Sequence, residues 1–244
     1  MDKLKIKIIR LGYIPFDIDF KKIIKNKSLL FDVDKYINDY ILDKNSDGGN
    51  WGYSDDILEK AIPNLQDNIN FIFCICNVPL ENNYYSRRLK NNKIIFTLFQ
   101  MAEILKSENI PIENLILMKL YSYSFVYKMY NNRIPSKSEK TSFAHDETKG
   151  CIFDMTGYKS DVIYSCYNPI ICDDCYHNLS KSKIPIDIIK KVRKEIKRIK
   201  KKLFYKLFDF VKNHPILSII ISFIFGVVVN LTSTIIWEKI KCFF

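Results

Sequence analysis

Histidine is scarce in this chain, limited to His145, His177 and His214, and no two of them lie one helical turn apart. That excludes an H-E-x-x-H helix, in which two imidazoles four residues apart bind zinc and the Glu serves as general base. Arginine is scarce too, at six residues against thirty-two lysines. The chain leans equally on Lys, Ile, Asn and Tyr, a bias expected of AT-rich coding, so where a lysine stands says more than how many there are. Seven cysteines in 244 residues are too few for a disulfide scaffold, and Cys74 and Cys76 alternate along an apolar run. Residues Met1 to Arg10 contain no uncharged stretch, so no signal peptide is expected. A reducing, cytosolic location follows for the folded part. Long uncharged runs are absent before Pro215.

After that point one is present. Ile216 to Ile236 are twenty-one residues without a charged side chain, and a helix of that length spans roughly 32 Å, close to the hydrocarbon thickness of a bilayer. The formal net charge is +11, but its placement argues against a nucleic-acid partner. Residues 1–180 hold twenty-three charges of each sign, whereas Lys181 to His214 hold thirteen basic and three acidic residues. The excess abuts the apolar run, where anionic lipid is the nearer partner. The expected organisation is a cytosolic α+β domain over 1–180, a basic amphipathic juxtamembrane helix over 181–214, one transmembrane helix over 215–236 and a short tail over 237–244. Ile188, Val192, Ile196, Ile199, Leu203 and Leu207 supply the apolar stripe of the juxtamembrane helix. Lys190, Lys191, Arg193, Lys194, Lys197, Arg198, Lys200, Lys201 and Lys202 would face the inner leaflet. The positive-inside bias puts the domain in the cytoplasm and the C-terminus outside. Within the span, Gly226 and Asn230 form a candidate self-association seam for a homo-oligomer, weighed against an inert anchor whose polar residues bond to their own backbone.

Within the first 180 residues, Leu4, Ile6 and Ile8 alternate with basic residues and predict a first strand. A helix follows over about Asp17 to Lys25, and apolar spacing of three and four predicts another over Val33 to Leu42. D-K-N-S-D-G from Asp43 begins like a calcium loop, but its twelfth position is Ser54 instead of a bidentate Glu. A Gly-rich surface loop packed by Trp51 and Tyr53 is expected instead. Asn70 to Leu80 predicts a strand buried on both faces, Ile94 to Leu105 a strand and then a helix, and Ile112 to Tyr130 a buried helix. The tandem Arg87 and Arg88 suit an anion site or an internal ion pair.

Between Phe143 and Leu179 the chain reads H-x5-C-x20-C-x2-C, formed by His145, Cys151, Cys172 and Cys175. Zinc takes soft thiolate and imidazole donors, and a C-x2-C turn delivers two sulfurs at once. A structural Cys3His zinc site follows, with Cys166 and His177 as reserve ligands. The competing readings are buried thiols packing as small hydrophobes and a Cys151–His145 nucleophilic dyad.

The segment H-D-E-T-K-G-C-I-F-D-M from His145 to Met155, followed by I-C-D-D-C and Leu179, resembles the tail of the archaemetzincin family. The resemblance implies a zincin-type domain in which a cysteine-rich zinc site stands beside a catalytic one. Lacking H-E-x-x-H, this chain would be a degenerate member with no catalytic residues and the structural metal kept. A cytosolic sensor joined to a span is also similar in layout to the membrane effectors of bacterial antiviral systems. The expected function is thus a non-catalytic membrane-anchored sensor or effector responding to an unidentified protein or small-molecule trigger. A membrane-tethered hydrolase and a passive tether for a partner are the alternatives.

Overall fold

The computed structural model describes residues 2–182 and 184–241. In chain order its elements are β1 (Leu4–Leu11), α1 (Phe20–Ile24), β2 (Phe31–Val33), β3 (Asn38–Tyr40), α2 (Asp55–Ala61), β4 (Phe71–Cys76), β5 (Ser86–Arg88), β6 (Lys93–Thr97), α3 (Met101–Ser107), α4 (Ile112–Met129), α5 (Val162–Tyr167), α6 (Asp173–Lys181), α7 (Ile186–Ile196), α8 (Leu203–Asn213) and α9 (Pro215–Lys241). They divide into two compact units, the first ending at Lys200 and the second beginning at Lys201.

The first unit is a mixed α and β fold around one sheet of order β2-β1-β4-β6-β5, with β3 also paired to β1. All pairings are parallel except β5 with β6, so β5 is an antiparallel edge. Both faces of the sheet carry a core, which is why the central strand β4 is apolar at every position instead of alternating. In β1, Leu4, Ile6 and Ile8 enter the larger core while Ile9 and Leu11 enter the smaller one with Leu58 and Ile62. β4, F-I-F-C-I-C, is buried throughout as its composition predicts. Phe73 stacks on Phe96 with ring centroids 5.7 Å apart, and Phe31 meets Tyr121 edge-on at 5.0 Å. Burying each such ring contributes about 2–3 kcal/mol. α4 crosses the larger core and is buried through most of its length, with Met118, Tyr121 and Phe125 inside.

Three expectations change. The helix predicted over Val33 to Leu42 is two short strands, β2 and β3, because the free edge of β1 offers ladder partners that outweigh local spacing. Tyr36 and Ile41, assigned to the helix face, are exposed. In the Asp43–Asp56 loop the Asp47 carboxylate accepts the Ser54 N–H at 2.8 Å and the Ser54 hydroxyl, which positions the cap of α2. Trp51, expected to pack that loop, is 82% exposed.

The third change concerns the basic stretch 181–214, which is two helices and not one. Ile189, Val192 and Ile196 of α7, and Ile199 beyond it, are buried in the larger core. The apolar stripe was legible, although Ile189 leads it and Ile188 is only half-buried; over α7 and Ile199 its partner is the domain itself, whereas Leu203 and Leu207 of the same stripe lie on α8 and are exposed. Glu195 explains the docking: its carboxylate accepts the Leu29 N–H at 3.2 Å and the Tyr121 hydroxyl at 3.1 Å. Arg193 is likewise engaged, with Asp173 at 2.7 Å and with the Ile171 carbonyl. Glu195→Ala is expected to cost about 1–3 kcal/mol by leaving the Leu29 N–H without its acceptor. Hydrogen exchange of α7 and Leu29 amides should accelerate in that variant, and unchanged protection would remove Glu195 as the anchor.

The second unit contains α8 and α9. Lys201 is buried there and donates to Asp209 at 2.6 Å, so it is not a free surface cation. α9 is 27 residues long, and its most apolar 18-residue window has a mean hydropathy of 2.3 with none of it buried. At about 40 Å it is long and apolar enough to cross a membrane. Pro215 opens it at the position where a missing N–H costs nothing. The helix continues past the predicted end at 236 to Lys241, and residues 242–244 of the predicted tail lie outside the described residues. Hydroxyls of Ser218, Ser222, Thr232 and Thr234 donate to carbonyls one turn earlier.

Candidate metal centre

Four residues close in sequence, one histidine and three cysteines, come together here. The chain turns at Gly150, whose φ of +89° disfavours any side chain, and Cys151 then pairs as a bridge with Ile170. Hydrogen bonds from Ile152 N–H to the Ile170 carbonyl and from Ile170 N–H to the Gly150 carbonyl, each 2.9 Å, fix that register. Two residues after Ile170, Cys172 caps α6, its sulfur accepting the Cys175 N–H at 3.4 Å. The C-x2-C spacing therefore puts one sulfur at the cap and the other in the first turn, where the helix dipole favours thiolate. His145 is held by its N–H to the Phe153 carbonyl and by Met155 N–H to its own carbonyl.

The ligand atoms of His145, Cys151, Cys172 and Cys175 all lie within 4.8 Å of one another. Cys151 Sγ stands 3.8 Å from Cys175 Sγ, and Cys172 Sγ stands 3.5 Å from His145 Nε2. A tetrahedron with metal–sulfur bonds of about 2.3 Å and metal–nitrogen bonds of about 2.0–2.1 Å has edges of about 3.8 Å between sulfurs and about 3.6 Å from sulfur to nitrogen. The observed separations fit zinc and are far too long for a disulfide, whose sulfurs approach to about 2.05 Å. The His145 ring presents Nε2 to the cluster, while its buried Nδ1 lacks a hydrogen bond and has the Glu147 carboxylate at 3.6 Å. A carboxylate behind a ligating imidazole is the usual means of orienting it. Contact with Cys175 draws the Cys151 thiol down, and the same contact pushes Cys175 up. Three crowded sulfurs thus hold one negative charge readily and three only with a cation among them.

No family model and no curated protein sequence matches the chain. A solved structure is similar. It is the archaemetzincin of Methanopyrus kandleri, 13% identical, with 74% of this chain and 96% of that chain covered and a TM-score of 0.47.

The reserve ligands stay outside the cluster. Cys166 is fully buried in the core, with burial pushing its thiol up, and His177 is exposed on α6. Of the tandem arginines, Arg87 is internally paired, its guanidinium forking onto Asp55 at 2.5 and 2.7 Å with Lys137 at 2.8 Å on the same carboxylate. Arg88 turns instead into a cavity of about 660 Å³ whose walls include Tyr85, Lys119, Tyr123, Phe143 and Asp154. Sequence reasoning missed Lys119 and Asp55. A single lysine in the middle of an otherwise apolar and aromatic helix was the available signal for Lys119, and Asp55 gave none because its partners lie 32 and 82 residues away.

Proposed function

We propose that this chain is a membrane-anchored, non-catalytic, ligand-responsive protein whose globular unit is stapled by one structural zinc. The convergence of four protein donors within 4.8 Å of one another carries this reading. A catalytic zinc keeps one position open for water or substrate, whereas His145, Cys151, Cys172 and Cys175 supply all four. When bound, zinc would cross-link the loop before α5 to the cap of α6, holding the wall of the 660 Å³ cavity in place. The cavity is then the place where a ligand is sensed.

α9 supports residence in a bilayer. The bias of basic residues before its apolar stretch, against Lys239 and Lys241 after it, favours a cytoplasmic globular unit. Lys190, Lys191, Lys194, Lys197, Arg198, Lys200 and Lys202 are exposed and suit anionic lipid, whereas Arg193 and Lys201 are occupied within the protein. The Asn230 side chain makes no hydrogen bond among the described residues and Gly226 has open space about it, so a second copy of the helix could pack there. The backbone-bonded hydroxyls of α9 favour a second reading, a passive anchor with no seam.

The zinc-loaded full chain in nanodiscs tests the main reading. It should contain about one zinc per chain and leave a broad peptide library uncut. Cleavage abolished by a chelator and restored by zinc would overturn it in favour of a tethered hydrolase.

A further inference from the structure

Buried cations among the described residues differ in their partners. Arg87 has Asp55, Lys201 has Asp209, and Lys93 donates to the carbonyls of Glu59 and Ile62 at 3.3 and 2.9 Å. Lys119 of α4 is 7% exposed, yet among the described residues no carboxylate oxygen lies within 4.0 Å of its Nζ. Its near neighbour is the Tyr85 ring, with Nζ 4.4 Å from the centroid. A ring face attracts an ammonium but replaces only part of the hydration that burial removes.

Lys119 shares the 660 Å³ cavity with Arg88. That guanidinium spends one N–H on the Pro135 carbonyl at 3.1 Å and lies 5.4 Å over the Phe143 ring, also without a carboxylate within 4.0 Å among the described residues. Its other donors remain for a ligand. The Tyr123 and Ser86 hydroxyls, 2.6 Å apart, stand in the same wall. Two acidic residues also line the cavity, and both are engaged: Asp154 accepts the Thr156 N–H at 2.7 Å, and Glu81 lies 3.6 Å from Arg87. The remaining lining cations, Arg87 and Lys137, are held by Asp55. What lines the space is therefore Lys119 and Arg88, neither with a carboxylate within 4.0 Å among the described residues, beside the Asp154 carboxylate, several hydroxyls that include those of Ser86, Ser122 and Tyr123, and the rings of Tyr85 and Phe143.

We propose that this cavity binds a small molecule carrying an oxyanion, phosphate or carboxylate, with the charged group taken by Lys119 and Arg88 and the body lying against Tyr85 and Phe143. The proposal rests on the ligand-responsive reading above and names the chemistry of its ligand. The volume is that of a site for one small molecule. Arg supplies a planar fork for oxygens, and Lys a desolvated point charge.

The test uses the full-length, zinc-loaded chain in detergent, with pyrophosphate, AMP and benzoate as probes, read by thermal unfolding and calorimetry. At least one probe should raise Tm, and the phosphate and benzoate arms tell which oxyanion is preferred. Binding should weaken about tenfold or more in both Lys119→Met and Arg88→Gln, the loss expected for one charge-assisted contact. Failure of all three probes, or binding unaltered in both variants, would overturn the proposal. Zinc content separates the two readings: a full complement of zinc without probe binding sinks this inference alone, whereas wild-type protein that holds no zinc sinks the structural-metal reading.

Discussion

Cys172→Ser is expected to release zinc and to cost the globular unit several kcal/mol of stability. The reason is that metal binding and folding draw on one free energy in such sites, where a structural zinc is worth on the order of 10 kcal/mol. Cys172 is doubly placed, since its sulfur both faces His145 Nε2 at 3.5 Å and caps α6. Elemental analysis should fall from about one zinc per chain to near zero, and the unfolding midpoint should drop with it. Cys166→Ser separates ligation from burial, because Cys166 is as buried as any ligand but outside the cluster; it should keep its zinc. Full occupancy in Cys172→Ser would refute the ligand assignment.

Asp55→Ala is expected to be almost as damaging, at about 3–5 kcal/mol, the range for removing one partner of a buried ion pair. Asp55 is 2% exposed at the first turn of α2, and its loss leaves the Arg87 guanidinium on β5 with only the more distant Glu81 carboxylate, at 3.6 Å. The pH dependence has a definite sign. Burial pushes the Asp55 carboxyl up, but Arg87 and Lys137 overcome it and hold it below the ordinary 3.8. A carboxyl depressed on folding contributes stability that is fully present above its unfolded value and is lost as pH falls through the folded one. Denaturant midpoints should therefore decline below about pH 4 in the wild type. The decline should be shallower in Asp55→Ala, and parallel profiles would show that Asp55 is not the group responsible.

The metal cluster was legible because its information is local. Four soft donors within His145–Cys175, two of them in C-x2-C, need only one turn at Gly150 and one helix cap to converge. β4 and α4 were legible for a related reason, since a run apolar at every position must be buried on every side. What failed were elements whose fate depends on distant partners. β2 and β3 carry helical spacing, yet the edge of β1 claims them. The α7 stripe showed that something apolar would cover it without saying whether that was lipid or core. Its one discordant residue, Glu195 in a basic run, marked the answer by bonding Tyr121 and the Leu29 backbone. Arg87 and Arg88 were singled out by scarcity alone, and only the fold separates the paired one from the one that faces the cavity.

The order of the elements also sets a schedule for synthesis. Every strand of the sheet has been translated by Thr97, whereas the last zinc ligand arrives at Cys175. At 5–20 residues per second that interval is roughly 4–16 s. Cys74 and Cys76 lie within β4, flanked in the sheet by β1 and β6, all of which precede the ligands in the chain. Two thiols that could have seized the metal in a wrong geometry are thus made first and have time to be covered. The donors of the proposed zinc site, His145, Cys151, Cys172 and Cys175, are made only after those strands, and ahead of the apolar helix.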